Sequence, residues 1–192
     1  MEADYKWVQD LCVSDKSCCP QDLLERLMSA PECKIFGPVH HYIVGASLLT
    51  CTHNAKGEKS TEVLAEDLEK LKERSRAVPG GACARWGICG AAASCGMALA
   101  IIQDNEPLKT KGWSETQLMV ADILERIAQA GAPRCCKRDS RIAVREATKW
   151  FNRLLDVDLV QSERDIRCEI SSKNTVCSGQ CLFHPSSVKS IL

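Results

Sequence analysis

The chain has 192 residues, with 25 basic and 25 acidic side chains and a formal net charge of zero. This length suits one domain, or one domain with a small appendage, and it is enough to bury a real core. A balanced charge provides no general polyanion-binding surface, so nucleic acid is not expected among the partners.

The first predicted helices follow the breakers and caps of the N-terminal half. One helix begins at Pro20 and ends before Pro31, with proline at the first helical position. A second runs from the GPVHH motif to Gly57. A third is capped by Ser60 and has an apolar stripe opposite a charged face.

Three further helices are predicted after a short glycine-containing loop. A helix of small residues extends from about Trp86 to Ile102, and the next begins at Ser114 in a capping box. The last is capped by Asp139 or Ser140. The sequence therefore predicts a mainly α protein, a helical bundle of about six helices.

Helical periodicity fades from Asp156 onward. Turn residues and paired cysteines follow, with room for two short strands. We therefore divide the chain into a helical cysteine-rich body, residues 1–157, and a small irregular C-terminal cysteine unit, residues 158–192, packed on the body. The second segment is called the tail below.

The N-terminal segment predicts a protein of the cytoplasm. Its first residues, MEADYKWVQDLCVSDK, contain neither the basic nor the apolar region of a secretory signal. The longest uncharged apolar run, from Gly87 to Ile102, covers 16 residues, which is short for a bilayer span. We therefore expect a cytoplasmic protein with reduced thiols and no association with membranes.

Thirteen cysteines are the strongest chemical signal in the sequence. At this density outside an oxidising compartment, cysteine indicates bound metal or working thiols rather than a disulfide framework. Most of them fall into three groups, two in the body and one in the tail. The sequence indicates a kind of chemistry without naming a substrate.

The first group lies in GGACARWGICGAAASCG. Two glycines before Cys83 allow a bend that brings the backbone close to a bound group. Cys89 lies near a helix start, where N–H groups and the helix dipole favour a thiolate, so we expect a lowered pKa. The small residues after it predict close approach of another helix or of a cofactor. We interpret Cys83 and Cys89 as metal ligands or active thiols, and Cys95 as a core residue.

The second group is the adjacent pair Cys135 and Cys136 in GAPRCCKRDS. Neighbouring cysteines do not readily bridge each other, because a vicinal disulfide strains the peptide between them. Arg134, Lys137 and Arg138 place positive charge at a helix start, which is unfavourable unless an anion is nearby. We therefore predict that the cysteines are metal ligands and that the basic residues bind the cofactor or a small anionic substrate.

The third group places Cys177 and Cys181 on either side of a Ser-Gly turn in the tail. Two sulfurs that face one point resemble a metal knuckle, although the spacing is looser than usual. Together with Cys168 and His184 they would make a tetrahedral zinc site. Alternatively, two or three of them complete a site that begins in the body.

The histidines His40 and His41 open the second predicted helix. One of the two is expected to point inward, where a hydrogen-bonded core histidine is the commoner outcome. We retain both, with Cys135 and Cys136, as catalytic candidates. Five cysteines without mutual spacing are interpreted as structural: Cys12, Cys18, Cys19, Cys33 and Cys51.

Four motifs in this order, GPVHHYIVGASLL, GGACARWGICGAAASCG, GAPRCCKRDS and CSGQCLFHP, resemble an uncharacterised domain family of anaerobic bacteria and archaea. The resemblance spans about residues 33–185. It implies a domain of unknown function that in some members is joined to methyltransferase domains. It also implies a shared polar set, which comprises His40, His41, Cys83, Cys89, Cys135, Cys136, Cys177 and Cys181.

The first functional hypothesis is a thiolate-ligated metal protein, with an iron–sulfur cluster, in anaerobic redox or sulfur chemistry. Thiolates are soft ligands that suit iron–sulfur, zinc or copper(I), and the anaerobic habitat implied by the resemblance favours iron. A second hypothesis is a structural zinc module that serves a methyltransferase-type protein partner. A third is a thiol redox or metal-delivery protein in which Cys135 and Cys136 are the working pair.

Overall fold

The computed structural model describes residues 5–57 and 60–187. These residues form eight α-helices, one of them a single turn, and no β-strand. The mainly α prediction is confirmed, whereas the two short strands considered for the tail do not occur in its described part. The helices are α1 Lys6–Ser14, α2 Pro20–Ser29, α3 Val39–Ala55, α4 Thr61–Arg76, α5 Ala82–Arg85, α6 Gly90–Ile102, α7 Trp113–Gln129 and α8 Cys136–Leu155.

Helix α3 is the centre of the bundle. Every residue from Val39 to His53 is buried, and the helix packs against α1, α2, α4, α6 and α8. A helix surrounded in this way must be apolar on all sides, and α3 accordingly carries no Asp, Glu, Lys or Arg. Since the two histidines lie in its first turn, they are held by the most buried element of the fold.

Helix α6 is slim because two other helices lie very close to it. A Cβ added to Gly45 of α3 would lie 2.9 Å from the carbonyl oxygen of Ser94 in α6. A Cβ added to Gly96 of α6 would lie 2.8 Å from Cγ2 of Val120 in α7. Glycine is therefore required at both crossings, and along these faces the close neighbour is a helix.

Two predicted helix starts are confirmed. Pro20 is the first residue of α2, and the Ser60 hydroxyl accepts the N–H of Val63 at 3.3 Å to cap α4. The α6 helix begins at Gly90 rather than near Trp86, because the chain first makes the single turn α5. The N-terminal helix α1 was not predicted.

Two predicted caps are wrong. Helix α7 begins at Trp113 after Gly112, whose φ of +87° is open to glycine, so Ser114 is already inside the helix. Helix α8 begins at Cys136, so Asp139 and Ser140 lie within its first turns. Cysteine is not among the usual capping residues, and for that reason the pattern of caps placed the start of α8 too late.

The tail lies against α2, the loop before α2, and α8. The Val160 N–H donates to the Cys18 carbonyl at 2.8 Å, and the Ser162 N–H donates to Oε1 of Gln21 at 2.9 Å. The Arg141 guanidinium lies 5.3 Å from the centre of the Phe183 ring. These contacts bring the tail cysteines to the start of α8. Among the described helices, none combines the length and the apolar character that crossing a bilayer requires.

Candidate metal and thiol site

A cavity of about 310 Å³ lies where the starts of α3, α6 and α8 meet. Its wall contains most of the polar residues that the sequence singled out in the body. They are His40, His41, Cys83, Cys89, Arg134 and Cys136, and they are joined by Asp139 and by the glycines Gly80, Gly81 and Gly90. The fold thus brings the GPVHH motif, the first cysteine group and half of the vicinal pair to one place.

Both histidines are buried and face this cavity, although only one was expected to point inward. Nδ1 of His40 lies 3.1 Å from the Gly37 carbonyl oxygen, and Nδ1 of His41 lies 3.2 Å from the Val78 carbonyl oxygen. A carbonyl oxygen can only accept, so in each neutral ring Nδ1 carries the hydrogen and Nε2 keeps its lone pair. Nε2 of His40 is buried without a hydrogen-bond partner among the described residues.

Burial keeps the imidazoles neutral. Loss of solvent lowers the pKa of His40 to about 4, and the nearby charge of Lys137 acts in the same direction. Burial also lowers the pKa of His41, with a contribution from Arg134. Neutral imidazoles with Nδ1–H bound to backbone carbonyls are the form in which histidine ligates metals.

Position 90 requires glycine because the His41 ring occupies the space where a Cβ would lie. A Cβ at this position would lie 2.2 Å from Cδ2 and 2.3 Å from Nε2 of the ring. The sequence interpretation attributed the small residues here to a helix or a cofactor. At the first residue of α6, the close neighbour is instead a histidine side chain of the site itself.

Cys89 immediately precedes α6, and its thiol lies beside the backbone N–H groups of Ala91 and Ala92. Burial nevertheless outweighs these groups and raises the pKa of Cys89 to about 11, and Asp139 adds to the increase. The expected lowering of this pKa is therefore wrong. Cys83 lies in the single turn α5 and also lines the cavity.

The vicinal cysteines face different pockets. Cys136 lines the cavity, and Nη1 of Arg134 donates to its sulfur at 3.2 Å. The same guanidinium lies 5.7 Å from the centre of the Phe36 ring. Cys135 instead lines a second pocket formed with the tail, and burial raises its pKa. The two thiols that the sequence assigned to one cluster are thus separated.

Two of the three predicted anion-binding residues, Lys137 and Arg138, instead donate hydrogen bonds to carbonyl oxygens at helix ends. Nζ of Lys137 donates to the Met28 carbonyl oxygen at 2.7 Å, near the end of α2. Arg138 donates to the Ala130 and Gly131 carbonyl oxygens at 3.2 and 2.7 Å, where α7 ends. Cations at helix C-termini satisfy free carbonyls and the dipole. Of the three, Arg134 is the one that lines the cavity.

Asp139 is a site residue that sequence reasoning missed, since it was interpreted as a cap. Its carboxylate is buried, lines the cavity and accepts from Nε of Arg138 at 2.9 Å. Burial raises its pKa, against the opposing charge of Arg138. Asp139 lies three residues after Cys136 on α8, so the two share one helix face. Recognition of Cys136 as the first helical residue would have predicted this.

The second pocket, called the tail pocket below, has a volume of about 20 Å³. The peptide N–H of Cys168 donates to the Phe183 carbonyl oxygen at 2.7 Å, which folds the two arms of the tail together. The residues that line the pocket include four cysteines, one histidine and two arginines: Cys135, Cys168, Cys177, Cys181, His184, Arg138 and Arg141.

The remaining cysteines lie outside both pockets. Cys12, Cys51 and Cys95 are fully buried in the core, where burial raises the pKa of each thiol. Cys33 is half-buried, and its sulfur lies 3.7 Å from Nζ of Lys137. All thirteen cysteines are free thiols. Within residues 5–57 and 60–187, no three His, Cys, Asp or Glu side chains form a group already positioned to hold a metal ion.

A family model described as a family of unknown function, DUF5714, matches residues 8–184. That span includes both histidines, both pockets and every cysteine of the chain. No curated protein shows a significant match, and no solved structure does.

Proposed function

The chain belongs to the DUF5714 family, and we propose that it binds a metal centre in the cavity between α3, α6 and α8. One observation carries this proposal. His40 and His41 contact backbone carbonyls through Nδ1, which leaves the lone pair on Nε2, and both residues line the cavity that Cys83, Cys89 and Cys136 also line. Thiolates and oriented neutral imidazoles are the protein ligands of zinc and iron centres.

The number of donors favours a cluster over a single ion. The cavity offers three thiols and two imidazoles, whereas a tetrahedral zinc ion uses four ligands. Mixed cysteine and histidine ligation occurs in iron–sulfur centres of the Rieske type. Iron–sulfur is therefore the leading proposal for the cofactor, and zinc held by four of the five donors is the alternative.

Binding requires local rearrangement. Since no three of the described donors form a ready-made group, a metal must draw side chains together and displace thiol protons. The loop that carries Cys83 and Cys89 is suited to such a movement. Gly81 and Gly87 have φ of +85° and +70°, and neither would meet a neighbouring atom within 4 Å if it carried a Cβ.

Arg134 provides a binding group for an anion next to the proposed centre. Its guanidinium contacts the sulfur of Cys136 and the face of Phe36 without a carboxylate partner among the described ion pairs. A small anionic substrate, or the net charge of a thiolate-ligated cluster, would be stabilised there. We propose redox or sulfur chemistry in the cytoplasm as the class of reaction.

The separation of the vicinal cysteines weighs against the thiol redox alternative. A working dithiol needs both sulfurs within reach of one substrate, whereas Cys135 and Cys136 face different pockets. Burial also raises the pKa of Cys135, which opposes formation of a reactive thiolate at neutral pH.

Metal analysis after strictly anaerobic purification tests the proposal. We expect iron with acid-labile sulfide and a broad visible absorption, whereas zinc without colour would support the alternative metal. Cys89→Ala and Cys136→Ala should lose the metal of the cavity. Cys95→Ala, which removes a core thiol of the same helix α6, is the matched control and should retain it. Full retention of metal by both cavity variants would refute the site.

A further inference from the structure

From the tail pocket we infer a second metal site, one zinc ion held by the thiolates of Cys135, Cys168, Cys177 and Cys181. The first thiol comes from the body and the other three come from the tail. The site would share no ligand with the cavity, because Cys136 and not Cys135 faces that side. Its role would be structural: it would cross-link the tail to the start of α8.

The size of the tail pocket fits a single ion. Its volume of about 20 Å³ compares with about 310 Å³ for the cavity. A space of this size accommodates about one water-sized sphere, and it leaves no room for a cluster or a substrate. Four thiolates are the ligand set of structural zinc sites, in which the metal has no open coordination position. Since no three of the described donors already form a group that could hold a metal, zinc would have to draw these four side chains together as it binds.

His184 also lines the tail pocket, but its hydrogen bonds exclude it as a ligand in this arrangement. The Ser186 N–H donates to Nδ1 of His184 at 3.2 Å, so Nδ1 holds the lone pair. In the neutral ring Nε2 then carries the hydrogen and has no lone pair for a metal. The hydrogen-bond pattern is the reverse of that at His40 and His41, and it leaves the four thiols as the donor set.

The tail needs such a cross-link because it has almost no core of its own. Between residues 160 and 187, Asn174 and Phe183 are the two buried residues. The regular structure of this segment is one short 3-10 turn, Ser171–Lys173. A segment with so little apolar burial gains its fold from a bound metal or from a covalent link, and its cysteines are free thiols.

The charges around the tail pocket suit a tetrathiolate centre. Zinc with four thiolates carries a formal charge of about −2. Arg138 and Arg141 line the pocket, and Arg141 interacts with the thiol of Cys168. Cys135 lies immediately before α8, so the dipole of a 20-residue helix also points its positive end at the site.

Zinc binding and tail proteolysis, measured on the reduced full chain, test this inference. With Zn²⁺ alone as the probe, Cys177→Ser and Cys135→Ser should each bind about one equivalent fewer than the parent. Added Zn²⁺ should slow cleavage after residue 160 in the parent by about tenfold or more, and it should leave cleavage of Cys177→Ser unchanged. Co²⁺ in place of Zn²⁺ should give the intense thiolate charge-transfer bands of a four-sulfur site.

Two control variants separate this site from the cavity and from a site containing histidine. Cys136→Ser removes a cavity thiol and should keep the zinc-dependent protection of the tail. His184→Ala should keep it as well. If Cys135→Ser unfolds the body, Cys168→Ser replaces it, since that residue lies outside the body helices.

The inference is overturned if Zn²⁺ does not protect the tail of the parent, or if His184→Ala abolishes the protection. Failure of the cavity proposal would appear elsewhere, as retention of the body metal by Cys89→Ala and Cys136→Ala. The two proposals therefore stand or fall on different variants.

Discussion

The cavity and the tail pocket are lined by neighbouring residues, Cys136 and Cys135, but they differ in size and in the side chains around them. The cavity holds about 310 Å³, and it combines thiols with two imidazoles and the carboxylate of Asp139. The tail pocket holds about 20 Å³, and its cysteines are accompanied by one imidazole, that of His184. Nδ1 of this ring already accepts a hydrogen bond, so neither ring nitrogen offers a free lone pair to a metal. Sites for chemistry keep room for a substrate, whereas structural sites are closed around their ion. One pair of adjacent cysteines thus lines two different pockets.

The peptide geometry at Cys135 explains how neighbouring residues come to face different pockets. Cys135 is extended, with φ −140° and ψ 111°, whereas Cys136 is the first helical residue of α8. At such a transition, consecutive side chains project in different directions. The difference between the pockets therefore follows from the position of a helix start and from no special property of either cysteine.

The largest expected effect comes from the link between the tail and the body. Arg141 forms a two-pronged ion pair with Glu25, at 2.7 Å for each contact, and lies over Phe183. Arg141→Ala leaves the Glu25 carboxylate partly buried without its partner. The free energy of unfolding should fall by about 3 kcal/mol in urea titrations, and the tail should become sensitive to protease.

Arg145→Ala is the matched control for that change. Arg145 lies one turn further along α8, and its side chain is about one-third exposed beside Glu146. Glu146 is itself buried, but it keeps Lys149, whose Nζ donates to Oε2 at 2.6 Å, so no unpaired buried carboxylate is left. Loss of the Arg145 contact should therefore cost about 1 kcal/mol or less. Equal destabilisation by the two variants would show that Arg141 has no special part in joining the tail to the body.

A substitution at the first residue of α6 should damage the cavity and spare the tail pocket. In Gly90→Ala the new methyl group overlaps the His41 ring, so the ring or α6 must move. We expect a loss of about 2 kcal/mol in unfolding free energy together with weaker metal binding in the cavity.

Gly80→Ala is the control for that substitution. Gly80 lines the same cavity, but its Cβ would meet Pro38 at an ordinary distance of 3.4 Å. Thermal unfolding of this variant should resemble that of the parent. If Gly90→Ala is equally well tolerated, the close approach of His41 to α6 is wrong.

The buried core thiols show the effect of burial on a cysteine that belongs to neither proposed metal site. Burial raises the pKa of Cys12 to about 12, from about 9 for a free thiol. The unfolded chain therefore loses this proton first, so stability is full below about pH 9 and falls as pH rises towards 12. The slope for one such thiol approaches about 1.4 kcal/mol per pH unit.

Urea titrations between pH 8 and pH 11 measure that slope. Cys12→Ala should decrease the slope of unfolding free energy against pH by the contribution of one buried thiol. This decrease is independent of any change in stability at neutral pH. Cys18→Ala removes a half-buried thiol instead and serves as the comparison. An unchanged slope in Cys12→Ala would mean that this thiol is accessible to solvent in the native state.

The smallest expected effect tests whether Cys135 and Cys136 lie in different surroundings, and it comes from a substitution at Arg134. Nη1 of Arg134 contacts the sulfur of Cys136, and its cation stabilises the negative charge that alkylation requires. In Arg134→Gln, alkylation of Cys136 near neutral pH should slow by about threefold, because the contact is exposed and screened. Cys135 should react at an unchanged rate. Peptide mass spectrometry resolves the two sites, and equal slowing of both would contradict the separation.

The helices were predictable where a cap or a breaker has a standard chemistry. Pro20 and Ser60 begin α2 and α4 as expected, because a fixed φ and a hydroxyl acceptor act locally. At α7 and α8 the starts are a left-handed glycine and a cysteine, whose roles depend on packing around them. Those two starts were accordingly placed wrongly.

The residues that line the cavity were easier to predict from the sequence than the separation of the cavity from the tail pocket. The histidine pair, Cys83 and Cys89 are chemically distinctive residue types, so pattern alone selected them. Asp139 was hidden because carboxylates are common near helix starts. The separate directions of Cys135 and Cys136 depend on one pair of backbone angles, which no residue type specifies.

Lys137 and Arg138 also change how sequence comparisons within the family should be interpreted. Both side chains satisfy the terminal carbonyls of neighbouring helices, Lys137 at α2 and Arg138 at α7. Natural selection would retain such residues for the architecture even in relatives that had lost the chemistry. Lysine and arginine at positions 137 and 138 of a homologue would therefore indicate that the helical bundle is preserved. Arginine at position 134 would indicate that the proposed cavity site is preserved.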